Sequence, residues 1–197
     1  VKLSKNEIKG LVSKYFPDLK DKELKEFLSI SEYCIVKNKE IIFKKGRTDK
    51  YVFIILKGAA RAYHTNDKGV EIINHLRSDG YLFGDPAVFT GQVQKLDVQA
   101  LCESHILKFN IDELEALGFK NHKLMKFYLN FLKEIIQIFS YRIDSFVAMT
   151  PKERYLSLIE MNPIYLESTF DKHIASFIGI TPVTLIRIKK SIILDIK

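Results

Sequence analysis

Cysteine is scarce in this chain: Cys34 and Cys102 are the only two among 197 residues, and they lie far apart. With no CxxC and no Cys/His spacing, a zinc site, an iron–sulfur cluster and a disulfide scaffold are all excluded. The two thiols read as small buried apolar residues in a reducing cytoplasm, and no metal is expected. Long hydrophobic runs are also missing. None approaches the roughly 18–20 residues that a membrane span needs, so no membrane partner is expected. The opening V-K-L-S-K-N-E-I-K-G alternates charged and apolar residues and has no signal-peptide core. The histidines His64, His75, His105, His122 and His173 form no i, i+4 ligand pair and no HExxH, and GxSxG, P-loop and Rossmann patterns are lacking. Asp79 and Asp85 fall in turn sequences with no evident partner and read as turn formers rather than catalysts. Catalysis and a catalytic cofactor are therefore not expected. The chain has no internal repeat and no low-complexity segment.

Positive charge and apolar content are what the chain does have. The formal net charge is +7, with 47% hydrophobic and 28% charged residues. This is the composition of a globular chain with room for one large domain or two small ones. The basic balance favours an anionic partner, nucleic acid or a membrane surface, although Lys-rich surfaces are also a general habit.

The apolar period changes along the chain. Leu3, Ile8, Leu11, Val12 and Phe16 share one helical face, and Leu24, Phe27 and Leu28 another, with Pro17 between them. From Cys34 to about Phe109, short β-rich runs such as E-I-I-F, Y-V-F-I-I-L and H-I-L-K-F alternate with Gly-bearing turns. That pattern predicts a small β-barrel or roll. Asp112–Leu117 reads as a short helix ended by Gly118. From Asn121 to about Met149 neither Gly nor Pro occurs. Leu124, Tyr128, Phe131, Ile135 and Ile138 recur there at alternating spacings of four and three, the seam that pairs two long helices. The extra apolar residues Phe127, Leu132, Ile136 and Phe139 predict a second buried face, hence a homodimer. Thr150, Pro151 and Glu153 spell N-cap, N1 and N3 of a new helix, and the module they start is expected to lean on the long helix.

Lys172–Lys190 has the grammar of a helix-turn-helix. Ile174, Phe177 and Ile178 give a short apolar face, Gly179 permits a sharp turn, and Thr181-Pro182 caps a second helix. That helix points Leu185, Ile186 and Ile188 towards a core and leaves Thr184, Arg187, Lys189 and Lys190 elsewhere. A basic, Thr-rich second helix after a Gly-bearing turn is how a recognition helix is set in the DNA major groove.

The order helix, β-roll, long helix, hinge, helix-turn-helix resembles the catabolite activator protein/FNR family of bacterial regulators over nearly the whole chain. Gly46, Gly58, Gly69 and Gly80 fall at that family's turns. Gly80–Phe89 (G-Y-L-F-G-D-P-A-V-F) is similar to its phosphate-binding cassette. The resemblance implies an α+β fold with an N-terminal double-stranded β-roll, a cyclic-nucleotide-binding-like jelly roll, over residues 1–120. A dimerisation helix over 121–149 and a C-terminal winged helix-turn-helix over 150–197 would follow. It also implies double-stranded DNA and RNA polymerase as partners, a cytoplasmic location, and a ligand pocket at Gly84, Asp85, Pro86, Lys95, Leu96, Ile138 and Phe139. DNA contacts would come from Thr181, Pro182, Val183, Thr184, Arg187 and Lys190.

The cassette departs from the family pattern. Asp85 stands where a Glu would take the ribose hydroxyl, Pro86 removes an N–H, and Lys95-Leu96 replaces the Arg-Ser pair that forks the phosphate. Ile138 and Phe139 stand where small polar residues would meet the purine. At about 1–3 kcal/mol for each lost contact, a micromolar cyclic nucleotide site weakens by several powers of ten. The expected effector is thus a different, more apolar small molecule, or none. In the recognition helix, Arg187 is the candidate guanine reader and Thr181 and Lys190 suit phosphates, while Val183 offers only a methyl contact. Residues 162–171 look too short for a full wing hairpin. The reading is a DNA-binding transcription regulator not answering to cyclic AMP. The alternative is a small-molecule or protein-binding sensor module with lost or weak sequence-specific DNA binding.

Overall fold

In the computed structural model, residues 2–161, 163–168 and 171–195 are described. Two short helices open the chain, α1 (Lys5–Tyr15) and α2 (Asp21–Ser29). The first starts at a reciprocal cap: Ser4 Oγ accepts from the Glu7 N–H, and the Glu7 carboxylate accepts from the Ser4 N–H at 2.8 Å. Eight strands follow: β1 (Glu32–Val36), β2 (Ile41–Phe43), β3 (Tyr51–Lys57), β4 (Ala59–Thr65), β5 (Glu71–Ser78), β6 (Leu82–Phe83), β7 (Asp97–Ala100) and β8 (Ser104–Asn110). They form two four-stranded antiparallel sheets, ordered β1-β8-β3-β6 and β2-β7-β4-β5.

Strand alternation divides the apolar residues into layers. In β3, Phe53 and Ile55 point between the two sheets, where they meet Phe43, Phe83, Val98 and Ile106. Val52, Ile54 and Leu56 point the other way, onto a helical layer built from Val12, Phe27, Leu114, Leu124 and Phe131. This double burial is why Y-V-F-I-I-L is apolar at every position rather than at alternate ones. Each fully buried Phe, Ile or Leu in these layers contributes about 1.5–3 kcal/mol.

Helix α3 (Ile111–Lys120) runs through Gly118 instead of ending there. A Cβ at Gly118 would lie 3.1 Å from Met125 Cα, so this glycine lets α3 and the next helix approach closely. That helix, α4 (His122–Ala148), is 27 residues long and is capped by Asn121, whose side chain accepts from the Lys123 N–H. The expected Thr150–Glu153 capping box starts α5 (Pro151–Met161): the Thr150 N–H donates to Glu153 Oε2 at 2.7 Å and Glu153 N–H to Thr150 Oγ1 at 3.3 Å.

The remaining elements are α6 (Ile164–Ser168), α7 (Asp171–Ile178) and α8 (Pro182–Asp195). Among the described residues this C-terminal module contains helices only, so the wing named in the expected fold is not present there; a short helix occupies half of the 162–171 segment, of which Asn162, Thr169 and Phe170 lie outside the described residues. The module also leans on more than the long helix. Tyr155, Leu158, Tyr165, Ile174 and Ile178 pack against Ala59, Tyr63, Ile73, Leu76 and Leu101 on the outer face of the second sheet. The Ile73 N–H donates to Ser176 Oγ at 3.0 Å across that junction.

No helix among the described residues is long and apolar enough to cross a membrane.

Candidate nucleic-acid interface and ligand pocket

The turn between α7 and α8 is built as its residues require. Gly179 adopts φ +74°, and a Cβ there would fall 2.6 Å from the Phe146 ring, so both conformation and space call for glycine. Thr181 Oγ1 accepts from the Thr184 N–H at 3.1 Å and caps α8, with Pro182 as its first residue. Leu185 is fully buried and Ile188 packs beside it, which fixes the rotation of the helix. Thr181, Pro182, Val183, Arg187 and Lys190 are then left exposed, with Thr184 half-buried. Ile186, expected in the core, is exposed as well: it lies one step round the helix from Leu185 and misses the junction. Lys189 is taken up by Asp171 of α7 in an ion pair. Arg187 and Lys190 form no ion pair among the described residues.

The cassette is a different case. Pro86–Phe89 forms a single 3-10 turn. Asp85 caps it, with Oδ1 accepting from the Ala87 N–H at 2.9 Å. The other oxygen accepts from Lys95 N–H at 2.6 Å and Leu96 N–H at 2.9 Å. The carboxylate is buried and devoted to holding the backbone, so the expected ligand role for Asp85 is corrected to a structural one. Lys95 extends to solvent and Leu96 packs between the sheets, and neither lines the pocket. Gly84 does line it, but what a side chain there would meet is Val52 Cγ1 at 2.8 Å.

Pro86, Ile138 and Phe139 also line this pocket, together with His75, Arg77, Phe89 and Glu134, and the space left is about 40 Å³. That is far from the roughly 300–1,000 Å³ of small-molecule pockets. Phe139 closes it from α4, edge-on to the His75 ring at 5.5 Å.

The long helix divides differently from the expected seam. Leu124, Tyr128 and Phe131 are buried in the helix's own molecule, with Phe127 and Phe131 at 4.4 Å and Phe16 at 5.1 Å from Phe127. Ile135 and Ile138 line the narrow pocket. The reason is the helical layer over the first sheet, which claims that face of α4 before any partner can. A second stripe at heptad spacing is free: Leu129, Ile136, Ile143 and Val147, exposed by 45%, 66%, 64% and 82%.

Residues that sequence reasoning missed hold the roll to the C-terminal module. Arg61 of β4 is 4% exposed and donates to Gln99 Oε1 at 2.8 Å, to Glu71 Oε2 at 2.6 Å and to His173 Nδ1 at 3.0 Å. Since a guanidinium can only donate, Nδ1 of His173 must be the acceptor. Burial, and then the Arg61 charge, push the His173 pKa down to about 4. The hydrogen bond from Arg61 holds the Glu71 carboxyl below its usual range. Nothing in the local sequence marks these residues, because Arg61 and His173 are brought together only by the packing of α7 on β5.

Residues 34–121 match the family model of the cyclic nucleotide-binding domain. No curated protein sequence matches the chain. Among solved structures, FixK2 from Bradyrhizobium japonicum superposes with a TM-score of 0.70 at 14% identity, over 84% of this chain and 86% of that one. CLP of Xanthomonas campestris, described as a c-di-GMP-responsive global regulator, gives 0.66 at 11% identity over 87% and 91%. The Thermus thermophilus catabolite activator protein gives 0.56 at 16% identity over 92% and 87%. At these identities the likeness is one of fold.

Proposed function

Because residues 34–121 are a domain of the cyclic nucleotide-binding type, set in the fold of the catabolite activator protein/FNR regulators, we propose that the chain is a DNA-binding transcription regulator that does not answer to cyclic AMP. The observation that carries the DNA reading is α8: a capped helix whose first turn, together with Arg187 and Lys190, faces solvent while Leu185 anchors it. Arg187 is the base reader, bidentate to guanine, and Thr181, Thr184 and Lys190 hold phosphates. Val183 touches a thymine methyl. The poverty of polar readers in this first turn makes sequence discrimination modest. The regulator acts as a cytoplasmic homodimer joined along α4, so that two recognition helices meet a two-fold related site, and RNA polymerase is its partner at the promoter. The second reading, a sensor module without useful DNA binding, draws on the same lack of polar readers and on the docking of the module against the roll.

The carrying observation against cyclic nucleotides is the filled cassette: Asp85 is spent on backbone N–H groups, Lys95 points away, and about 40 Å³ remains.

Fluorescence-anisotropy titration of duplex DNA at two salt concentrations tests the function. Binding that weakens with salt is expected, as for any contact with several phosphates, with a slope made shallower by the lack of wing contacts among the described residues. Arg187→Ala is expected to cost about 1–3 kcal/mol of affinity for the selected site. Salt-insensitive or absent binding, with no effect of Arg187→Ala, favours the sensor module. A clear thermal shift with cyclic AMP overturns the effector part of the proposal.

A further inference from the structure

A cavity of about 260 Å³ lies where β5 and α4 meet α5, α6 and α7. Ile138, Phe139, Leu158 and Phe177 give it largely apolar walls, and into those walls are set three guanidiniums, Arg77, Arg142 and Arg154. They come from the roll, the long helix and the first helix of the C-terminal module respectively. Each is tethered to main-chain carbonyls: Arg77 to Leu76 at 2.7 Å, Arg142 to Phe177, and Arg154 to Ile178 at 2.9 Å and Met149 at 2.6 Å. Among the described residues none of the three reaches a carboxylate within ion-pair distance. Among the described residues Arg77 and Arg142 each make one side-chain hydrogen bond, and Arg142 lies over the Phe177 ring at 3.8 Å and the Phe146 ring at 4.6 Å, so the edges of both forks keep donors without a hydrogen-bond partner there.

The charge balance is one-sided. Glu134 faces Arg77 from the neighbouring narrow pocket, and burial raises its pKa. His75, which lines both spaces, is neutral: burial, and then Arg77 and Arg142, push its pKa down to about 3. Burial, then the charges of Arg77 and Arg154, bring even Arg142 down to about 10. Cations held together in apolar surroundings are costly unless an anion offsets them.

We propose that this cavity binds a small organic anion, a carboxylate or phosphate head on an apolar body, with the guanidiniums of Arg77 and Arg142 gripping the head and the Ile138, Phe139, Leu158 and Phe177 side chains holding the body. The size fits such a ligand. A dry cavity of roughly 150 Å³ accepts benzene, so this one holds a ring or short chain plus its head, yet falls short of the roughly 300 Å³ where drug-sized pockets begin. An oxyanion on an arginine fork is among the stronger polar contacts a protein can make. Since its walls belong to all three parts of the chain, an occupant fixes the C-terminal module on the roll. The binding claim stands without DNA; only its consequence for DNA affinity rests on the function proposed above.

Calorimetric titration of the full chain with octanoate, octyl phosphate, 1-octanol and inorganic phosphate tests it. At least one of the two octyl anions is expected to bind, and which of them does identifies the head. 1-Octanol and inorganic phosphate are each expected to bind at least about tenfold more weakly, a difference of about 1.4 kcal/mol. Equal binding of 1-octanol would make this an apolar hole, and equal binding of inorganic phosphate a bare cationic patch; either overturns the proposal, as does no binding by either octyl anion. Arg77→Gln and Arg142→Gln are each expected to weaken the octyl anion at least about tenfold. Unchanged affinity in folded variants overturns the assignment. In the unmodified protein, methyl resonances of Ile138 and Ile178 are expected to move on addition of the octyl anion that binds; movement confined to other methyls overturns it without relying on a variant that folds.

Discussion

Asp85 keeps an acid where nucleotide-binding cassettes carry one, yet both its oxygens serve the backbone. Three N–H groups, of Ala87, Lys95 and Leu96, converge on one buried carboxylate. Removing it strands those donors, and hydrogen bonds to charged groups contribute about 1.5–3 kcal/mol each without adding fully. Asp85→Ala is therefore expected to lower stability by about 2–4 kcal/mol, seen as a lower denaturant midpoint with the slope unchanged. Lys95→Ala, at an exposed side chain, is expected to stay within about 0.5 kcal/mol of the parent. If the two variants were equally stable, the structural role given to Asp85 would be wrong. The motif and its residue type were legible in the sequence; the direction in which the carboxylate points was not, since that depends on the loop residues Lys95 and Leu96, just before β7.

The long helix carries two apolar faces, and each has a different fate. Leu124, Phe127, Tyr128 and Phe131 are claimed by α1, α2, α3 and the first sheet. Leu129, Ile136, Ile143 and Val147 remain as an exposed stripe at coiled-coil spacing. Exposed apolar residues in a continuous row mark an interaction surface. Ile136→Glu with Ile143→Glu is expected to convert a dimer to monomers in analytical ultracentrifugation, with the monomer's secondary structure unchanged. A parent that already sediments as a monomer at high concentration would refute the dimer. By sequence the partner face falls at Phe127, Leu132, Ile136 and Phe139, of which only Ile136 lies on the exposed stripe, and the strongest seam by spacing is the one facing inward. Periodicity reports that a face is buried and does not say against what. Gly118 teaches the same lesson on a smaller scale. As a helix breaker it read as a stop signal, whereas contact with Met125 makes it a close-packing site inside α3.

At the scale of the molecule, three apolar layers run in series: helices on the first sheet, sheet on sheet, and the second sheet on the C-terminal module. The last junction contains both strongly perturbed histidines. His75 titrates at about 3 and His173 at about 4, against an ordinary value near 6.5. The unfolded chain therefore binds more protons than the folded one between these values, and stability falls as pH falls. The contribution is complete above about pH 6.5 and is lost progressively as the pH drops towards 4 and then 3. Each histidine adds a slope of at most about 1.4 kcal/mol per pH unit. The melting temperature is expected to be nearly flat from pH 8 to 7 and to decline below about 6.5, with a shallower decline in His75→Gln. An unaltered slope in that variant would remove His75 from the account.

The element order, the roll and the Gly179–Thr181–Pro182 turn between α7 and α8 could be read from the residues alone, because each rests on local rules of spacing, capping and backbone freedom. The sequence also marked the cassette as departing from its pattern, since residue identities alone show that the Arg-Ser pair is missing. That Asp85 faces the backbone, that the inner face of α4 is covered within its own molecule, and that Arg77, Arg142 and Arg154 share one cavity became visible once the chain was packed. Those outcomes depend on which surfaces meet across tens of residues, and a local pattern carries no record of its distant partner.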